Sequence, residues 1–356
     1  MMKLTTDILI IGAGPSGCVA ALTAEKLGLR SIVIERKSFP RDKVCGDGIL
    51  LKDVKNIFGR LGIDFNQFIG IENHSQPPFF KINDSKQHEF NIPIPTVIIK
   101  REEFDYTLWN AVGLTKDNLK FDDADVKSIN KVGDVYIVEC CIAGKLTVIN
   151  TKYIVAADGY SSFVRRNHFK GLKFRTRVAS RFYLKTDKEI DIPTSMIFDE
   201  KVSPGYFWFF RIDNLTFNTG VYLAEDNNSD IYELHRTFLK KYFDADLPKD
   251  GFKTWPIPYN VKLDNLVKDN VILAGDAAGL CDKMFGHGID NAITSGYLAV
   301  LSIHDSNKAT ISYPLEEIYR YNLNMYIGNT LRKSVDAYNL LETNPDNFVN
   351  VLKQYV

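Results

Sequence analysis

The stretch DILIIGAGPSG, residues 7–17, decides the fold. An apolar strand runs directly into Gly12, Gly14 and Gly17 in the GxGxxG spacing, with Ala13, Pro15 and Ser16 filling the turn. Gly12 permits the tight turn, Gly14 lets the backbone approach a diphosphate, and Gly17 lets the following helix pack closely on the strand. Pro15 suits the first helical turn, where its missing N–H costs little. Gly17, Ala20, Ala21 and Ala24 then recur at helical spacing and give a small-residue face for a sheet. A second apolar strand, SIVIE, ends on Glu35 about twenty residues further on, where an acid accepts hydrogen bonds from a ribose. A diphosphate would rest on free N–H groups at the positive end of the helix. The unit predicts a Rossmann-type site for an adenine dinucleotide.

The bulk composition narrows the rest. At 356 residues the chain is long enough for two domains, and a hydrophobic content of 45% is ordinary for a globular protein. Its 44 basic and 44 acidic residues balance, which removes the basic excess expected of a nucleic-acid binder. No uninterrupted apolar run reaches the length of a membrane span, and the first apolar stretch belongs to the nucleotide strand rather than to a signal peptide. A cytoplasmic enzyme is expected, with peripheral membrane contact left open for an apolar substrate. The five cysteines, Cys18, Cys45, Cys140, Cys141 and Cys281, are odd in number and form no CxxC pair. They suggest neither a disulfide framework nor a metal site.

Three segments read as pieces of one nucleotide-binding domain: 1–60, 97–168 and 268–305. In each, a β-branched strand runs into a Gly/Asp turn, as in YIVAADG at 153–159 and NVILAGDAAG at 270–279. Alternation of strands with helices implies a mainly parallel sheet with its ligand at the strand C-termini. Between the later two segments the texture changes to short strand-like runs, RVASRFYLKT, TSMIFDE, GYFWFFRI and LTFNTGVYLA, the pattern of an antiparallel sheet. A helix is expected over 229–243, with Ser229 as its N-cap. The expected architecture is therefore α/β: a discontinuous dinucleotide domain with an inserted antiparallel substrate domain over 61–96 and 169–267. A helical segment follows over 306–356, with a break at Asn344-Pro345.

Two further stretches carry chemistry. In GDAAG (275–279) and GHGIDNA (286–292), Asp276 ends a strand and can hold a sugar hydroxyl. Gly286, Gly288 and Ile289 begin a helix whose free N–H groups would face a bound ring. In FPRDKVCGDGIL (39–50), Gly46 and Gly48 allow a backbone to run along a ligand face, and Lys43, or a helix start nearby, is expected to lower the thiol pKa of Cys45. Cys45 reads equally well as a small packing residue. In the strand GYFWFFRI, Tyr206, Trp208 and Phe210 share one face and Phe207 and Phe209 the other.

The motifs GAGPSG, ERKSFPRDKVCGDG, AADGYSSFVRR, PGYFWFF, WPIP and NVILAGDAAGLCDKMFGHGI stand in the order found in the geranylgeranyl reductase family. The chain resembles that family, a branch of the FAD-dependent oxidoreductases shaped like para-hydroxybenzoate hydroxylase, from residue 7 to about residue 303. The resemblance implies FAD held by Gly12, Gly14, Gly17, Glu35, Arg36 and Asp276, with Arg101, Asp158 and Gly159 at matching contact positions. It places Cys45 and Gly46 beside the flavin, and Tyr206, Trp208 and Phe210 on the wall of the substrate cavity. It also implies reduction by NAD(P)H or another transient donor, then hydride delivery to a double bond of an apolar or aromatic small molecule, or the reverse, dehydrogenation of such a molecule by oxidised FAD. The chain departs from the family at Arg211, where a Pro is usual, and at Lys283 and His287, where a Pro and the Glu of GEG are usual. Lys283 is expected either at the flavin edge or as a solvent-facing loop residue. His287 is expected either as a proton donor or relay or as a polar loop residue. The alternative functions are a flavin-dependent monooxygenase or halogenase and, more remotely, a flavin-binding protein without turnover.

Overall fold

A computed structural model describes residues 1–68, 80–83, 89–92, 96–223, 225, 227–260, 262–308, 313–343 and 351. The expected break at Asn344-Pro345 lies outside the described residues. The first sheet has eight strands. Its parallel centre is built from Met2–Ile11, Ser31–Ile34, Asn118–Phe121, Lys145–Ala156 and Val271–Leu273. The apolar runs Ile8–Ile11 and Ser31–Ile34 are buried throughout, as strands covered on both faces must be. The helices Pro15–Lys26 and Ile289–Lys308 pack against each other beside this sheet.

Register makes the arrangement functional. Ile11 pairs with both Ile34 and Ala156, and Ala156 pairs with Leu273. Four strands far apart in sequence therefore end level with one another. The turns that follow them begin at Gly12, Glu35, Ala157 and Ala274 and open on one edge of the sheet. Backbone hydrogen bonds tie the ends together, with Gly12 N donating to Ile34 O at 2.7 Å and Ala157 N to Ile11 O at 2.8 Å. At Gly12 the backbone has φ +97°, and a Cβ there would meet Ala157 O at 2.3 Å. A Cβ on Gly17 would sit 1.8 Å from Gly12 O. No larger residue fits either position.

The second sheet has seven strands, in the order Lys253–Tyr259, Arg175–Lys185, Thr216–Tyr222, Tyr206–Arg211, Ser195–Ile197, Phe80–Asn83, Glu89–Ile92. All its pairings are antiparallel except Ser195–Ile197 with Phe80–Asn83. Segment 61–96 thus serves both units: Phe80–Asn83 and Glu89–Ile92 extend the second sheet, whereas Phe65 and Phe68 pack into the core of the first. The helix Ile231–Phe243 covers the outer face of the second sheet. Its cap is Asp230, whose carboxylate accepts from Tyr232 N at 2.8 Å, and not Ser229. The shorter Asx geometry places a carboxylate where two free N–H groups converge, which a hydroxyl one residue earlier does not reach.

The aromatic strand divides by parity. Phe207 and Phe209 pack outward against Phe238 and Leu239, with the Phe207 and Phe238 rings 4.5 Å apart. Tyr206, Trp208 and Phe210 face the first sheet. No helix among the described residues is long and apolar enough to cross a membrane.

Candidate active site

Between the level strand ends and the inner face of the second sheet lies a cavity of about 650 Å³. Gly12, Gly14, Pro15, Ser16, Glu35 and Arg36 line one part of it. Asp158, Gly159, Asp276, Gly286, Gly288 and Ile289 line the next, and Tyr206, Trp208 and Phe210 the far wall. Ala13 and Gly17 stand behind this lining: Ala13 donates its N–H to Glu35 Oε2 at 2.9 Å, and Gly17 is packed on the Gly12 carbonyl. They shape the turn without facing the cavity.

Several observations test whether a flavin dinucleotide fits here. Ser16 Oγ, Arg41 Nε and Asp158 Oδ1 are buried polar atoms with no hydrogen-bond partner. Such atoms are costly unless a ligand or water satisfies them. Glu35 is steadied by Lys37 N at 3.1 Å and by Arg41 at 3.3 Å. Arg41 also pairs with Asp105 at 3.0 Å, and Asp105 holds Arg101 through Nε at 2.7 Å. The lining runs from glycine backbone and basic groups to aromatic rings, which matches the diphosphate and ring ends of such a cofactor. The residues fit FAD.

Cys45 and Gly46 border the cavity against the aromatic wall, where a Cβ on Gly46 would lie 3.3 Å from the Phe210 ring. Burial pushes the Cys45 thiol up, and the positive charges of Arg101 and Lys43 do not reverse this. The expected activation by Lys43 is therefore corrected: Lys43 is half-buried, and its Nζ lies 3.9 Å from Asp276, which takes up its charge. Cys45 is a thiol, with its proton in place.

His287 lines the cavity between two carboxylates, Asp290 Oδ1 at 3.1 Å from Nδ1 and Asp282 Oδ2 at 3.6 Å from Nε2. Burial opposes its charge, but Asp290 and Asp282 outweigh burial and push its pKa up to about 9. At neutral pH it is a fixed imidazolium rather than a group that exchanges protons readily. Lys283 is in neither expected place. It does not line the cavity, nor does it face solvent: at 6% exposure its Nζ donates to Asn339 and lies 3.8 Å from the centre of the Tyr338 ring. The apolar sequence around it buries the stem, and the C-terminal helix Asn329–Thr343 supplies the partners.

A junction behind the Cys45 loop was not foreseen. Asp47 is fully buried at φ 66°. It accepts from Arg101 N at 3.2 Å, Tyr183 Oη at 2.7 Å and Asn218 Nδ2 at 2.8 Å. Asn218 also donates to Cys45 O at 2.8 Å and accepts from Trp208 Nε1 at 3.0 Å. The Cys45 loop and the aromatic wall are thereby tied to one buried carboxyl, whose pKa burial pushes up to about 6.

Comparison with known proteins agrees with this geometry. A family described as FAD binding domain matches residues 7–41. This is the frame of an FAD-dependent oxidoreductase. The chain is 28% identical to digeranylgeranylglycerophospholipid reductase 2 of Methanosphaera stadtmanae, over 83% of this chain and 77% of the relative. It is 25% identical to a menaquinone reductase of Mycolicibacterium smegmatis, over 84% of this chain and 76% of that protein. A geranylgeranyl bacteriochlorophyll reductase-like protein from Thermoplasma acidophilum superposes with a TM-score of 0.79 at 20% identity, covering 95% of this chain and 87% of the other. The likeness shows a shared fold, which flavin-dependent halogenases and a probable FAD-dependent monooxygenase share as well.

Proposed function

We propose that the chain is a reductase similar to geranylgeranyl reductases, adding hydrogen across a double bond of an apolar, lipid-like substrate. The observation that carries this reading is the continuity of one cavity from the glycine turn to the wall of Tyr206, Trp208 and Phe210. Gly12, Gly14, Pro15, Ser16, Glu35 and Arg36 would hold the dinucleotide end of FAD, and Arg101, Asp158, Gly159 and Asp276 its middle. Cys45, Gly46 and the turn Gly286–Ile289 would border its ring. When bound, FAD supplies the hydride. NAD(P)H serves as a transient donor.

The protein's own groups do the remaining work. Rings on the far wall exclude water and orient an apolar chain by shape, since they present few hydrogen-bond groups. Tyr206 is not free for proton transfer, because its hydroxyl is donated to the Phe285 carbonyl. Cys45 keeps a proton at Sγ on the cavity side. His287 contributes standing positive charge rather than a mobile proton. We place the enzyme in the cytoplasm, with peripheral contact to a membrane that stores its substrate.

The reading is tested with flavin-loaded protein and a series of apolar alkenes, with and without oxygen. Trp208→Ala is expected to raise KM for the alkene about tenfold or more, from the loss of a large apolar contact, with bound FAD unchanged. Products that form only in oxygen and carry a new hydroxyl or halogen would transfer the assignment to the oxygen-using branch of this fold. Flavin binding with no turnover of either kind would leave a binding protein.

A further inference from the structure

The cavity has a second lining of different chemistry, where the edge strand Lys253–Tyr259 pairs with Arg175–Lys185. Register sets Arg181 opposite Lys253 and Ala179 opposite Trp255. Arg181 and Trp255 both line the cavity. Arg181 is 2% exposed and gives one nitrogen, Nη2, to Asp42 at 2.8 Å. Its guanidinium lies over the Tyr183 ring, 4.2 Å from the centre, and the Tyr183 hydroxyl is given to Asp47. Nε and Nη1 of Arg181 are buried with no hydrogen-bond partner, and so is Nε1 of Trp255. Three donor nitrogens are thus left without a hydrogen bond along one stretch of wall.

The charges around them have one sign in excess. Lys43 Nζ lies 4.3 Å from the centre of the Trp255 ring, and Lys253 Nζ is 2.5 Å from Asp42. Arg181, Lys43 and Lys253 stand against the carboxylates of Asp42 and Asp276. A buried guanidinium is rarely left with free N–H groups, because the desolvation of each is otherwise uncompensated. The matching partner is an acceptor-only group with several oxygens and negative charge, the description of a phosphate.

We propose that Arg181 and Trp255, flanked by Lys43 and Lys253, form a cradle for the phosphate of a ligand that enters the cavity. This cradle is separate from the glycine turn that takes the cofactor's own diphosphate. The proposal rests on the flavin-reductase reading. The phosphate comes either from a pyridine dinucleotide donor or from a phosphorylated head on the apolar substrate, whose tail then lies along the aromatic wall.

Flavin-loaded protein titrated calorimetrically with inorganic pyrophosphate, at constant ionic strength and against a chloride control, gives the first answer. Saturable binding is expected, weakened about tenfold in Arg181→Met, with bound flavin unchanged. Trp255→Phe, which removes the indole N–H and keeps a smaller aromatic ring, weakens it about threefold and decides the matter if Arg181→Met does not fold. No saturable binding, an affinity unchanged in both variants, or a loss that follows loss of flavin would overturn the proposal. In the last case the donors serve the cofactor. Competition then identifies the source. Pyrophosphate competing with NADPH for flavin reduction assigns the cradle to the donor. Pyrophosphate competing with a prenyl diphosphate, but not with the same prenyl alcohol, in reoxidation assigns it to the substrate head. Competition with neither contradicts the cradle, whereas a protein that takes up no FAD contradicts the underlying reading instead.

Discussion

Charge at His287 has a direct consequence for stability. Its pKa rises from the ordinary 6.5 to about 9 in the folded protein because Asp290 and Asp282 flank it. The folded state therefore binds this proton more tightly than the unfolded chain. The stabilisation is fully present below about pH 6.5 and is lost as pH rises through about 9, with a magnitude on the order of 1–3 kcal/mol. Chemical denaturation at pH 6 and at pH 9.5 should show this loss in the wild type and much less of it in His287→Gln. Asp47 and Asn218 make the second residue-level case. Asn218→Leu strands the Cys45 carbonyl and the Trp208 indole N–H, and it leaves Asp47 Oδ2 with the Tyr183 hydroxyl as its remaining donor. Such a change is expected to cost about 2–4 kcal/mol, read as a fall in the denaturation midpoint. The sequence showed His287 as a departure from its resembling family but not its charge, because Asp282 and Asp290 act only once the turn is folded. The Asp47 junction was illegible for a related reason: its partners stand 54, 136 and 171 residues away.

Elements carry their own predictions. The aromatic strand could be read from period-two alternation alone, and its faces do different work. Phe207→Ala removes a ring from the outer core and is expected to cost about 3–5 kcal/mol of stability while leaving the cavity wall intact. Denaturation should therefore report Phe207→Ala with little change in alkene binding, and alkene binding should report Trp208→Ala with bound FAD unchanged. Helix contact at the sheet is the counterpart. A Cβ on Gly296 would lie 2.1 Å from Ser16 O, so the helix Ile289–Lys308 touches the first turn of Pro15–Lys26 through a glycine. Gly296→Ala should gain from helix propensity, about 1 kcal/mol, yet the clash with backbone is expected to reverse the sign and destabilise by about 1–3 kcal/mol. It should also weaken FAD, because Ser16 stands on the cavity wall. The small-residue spacing at Gly17, Ala20, Ala21 and Ala24 was readable. The facing glycine was not, since nothing local distinguishes it from a tolerated helical glycine.

At the scale of the molecule, level strand ends bring distant signatures into one place. The glycine turn, Glu35, the Asp158 turn and the GDAAG turn are each legible as strand-turn units, and parallel alternation requires that they open on a common edge. The closure of that edge by the second sheet was legible only through the family resemblance, and the part the C-terminal helix plays in it was not legible at all. Arg177, buried with its Cζ 3.9 Å from the Tyr222 ring centre and 4.7 Å from that of Tyr338, clamps helix Asn329–Thr343 to the second sheet. Lys283 presses on the same Tyr338 ring. Cation–aromatic contacts between side chains so far apart leave no pattern in the sequence. The resulting enclosure sets cofactor lining on one side against the aromatic wall on the other, the arrangement needed to reduce an apolar double bond at a bound flavin. Anaerobic single-turnover mixing of flavin-loaded, fully reduced protein with an apolar alkene tests it most directly. The expected result is return of the oxidised flavin spectrum in step with the loss of one substrate double bond per flavin. A flavin that stays reduced with every such alkene until oxygen is admitted would contradict it.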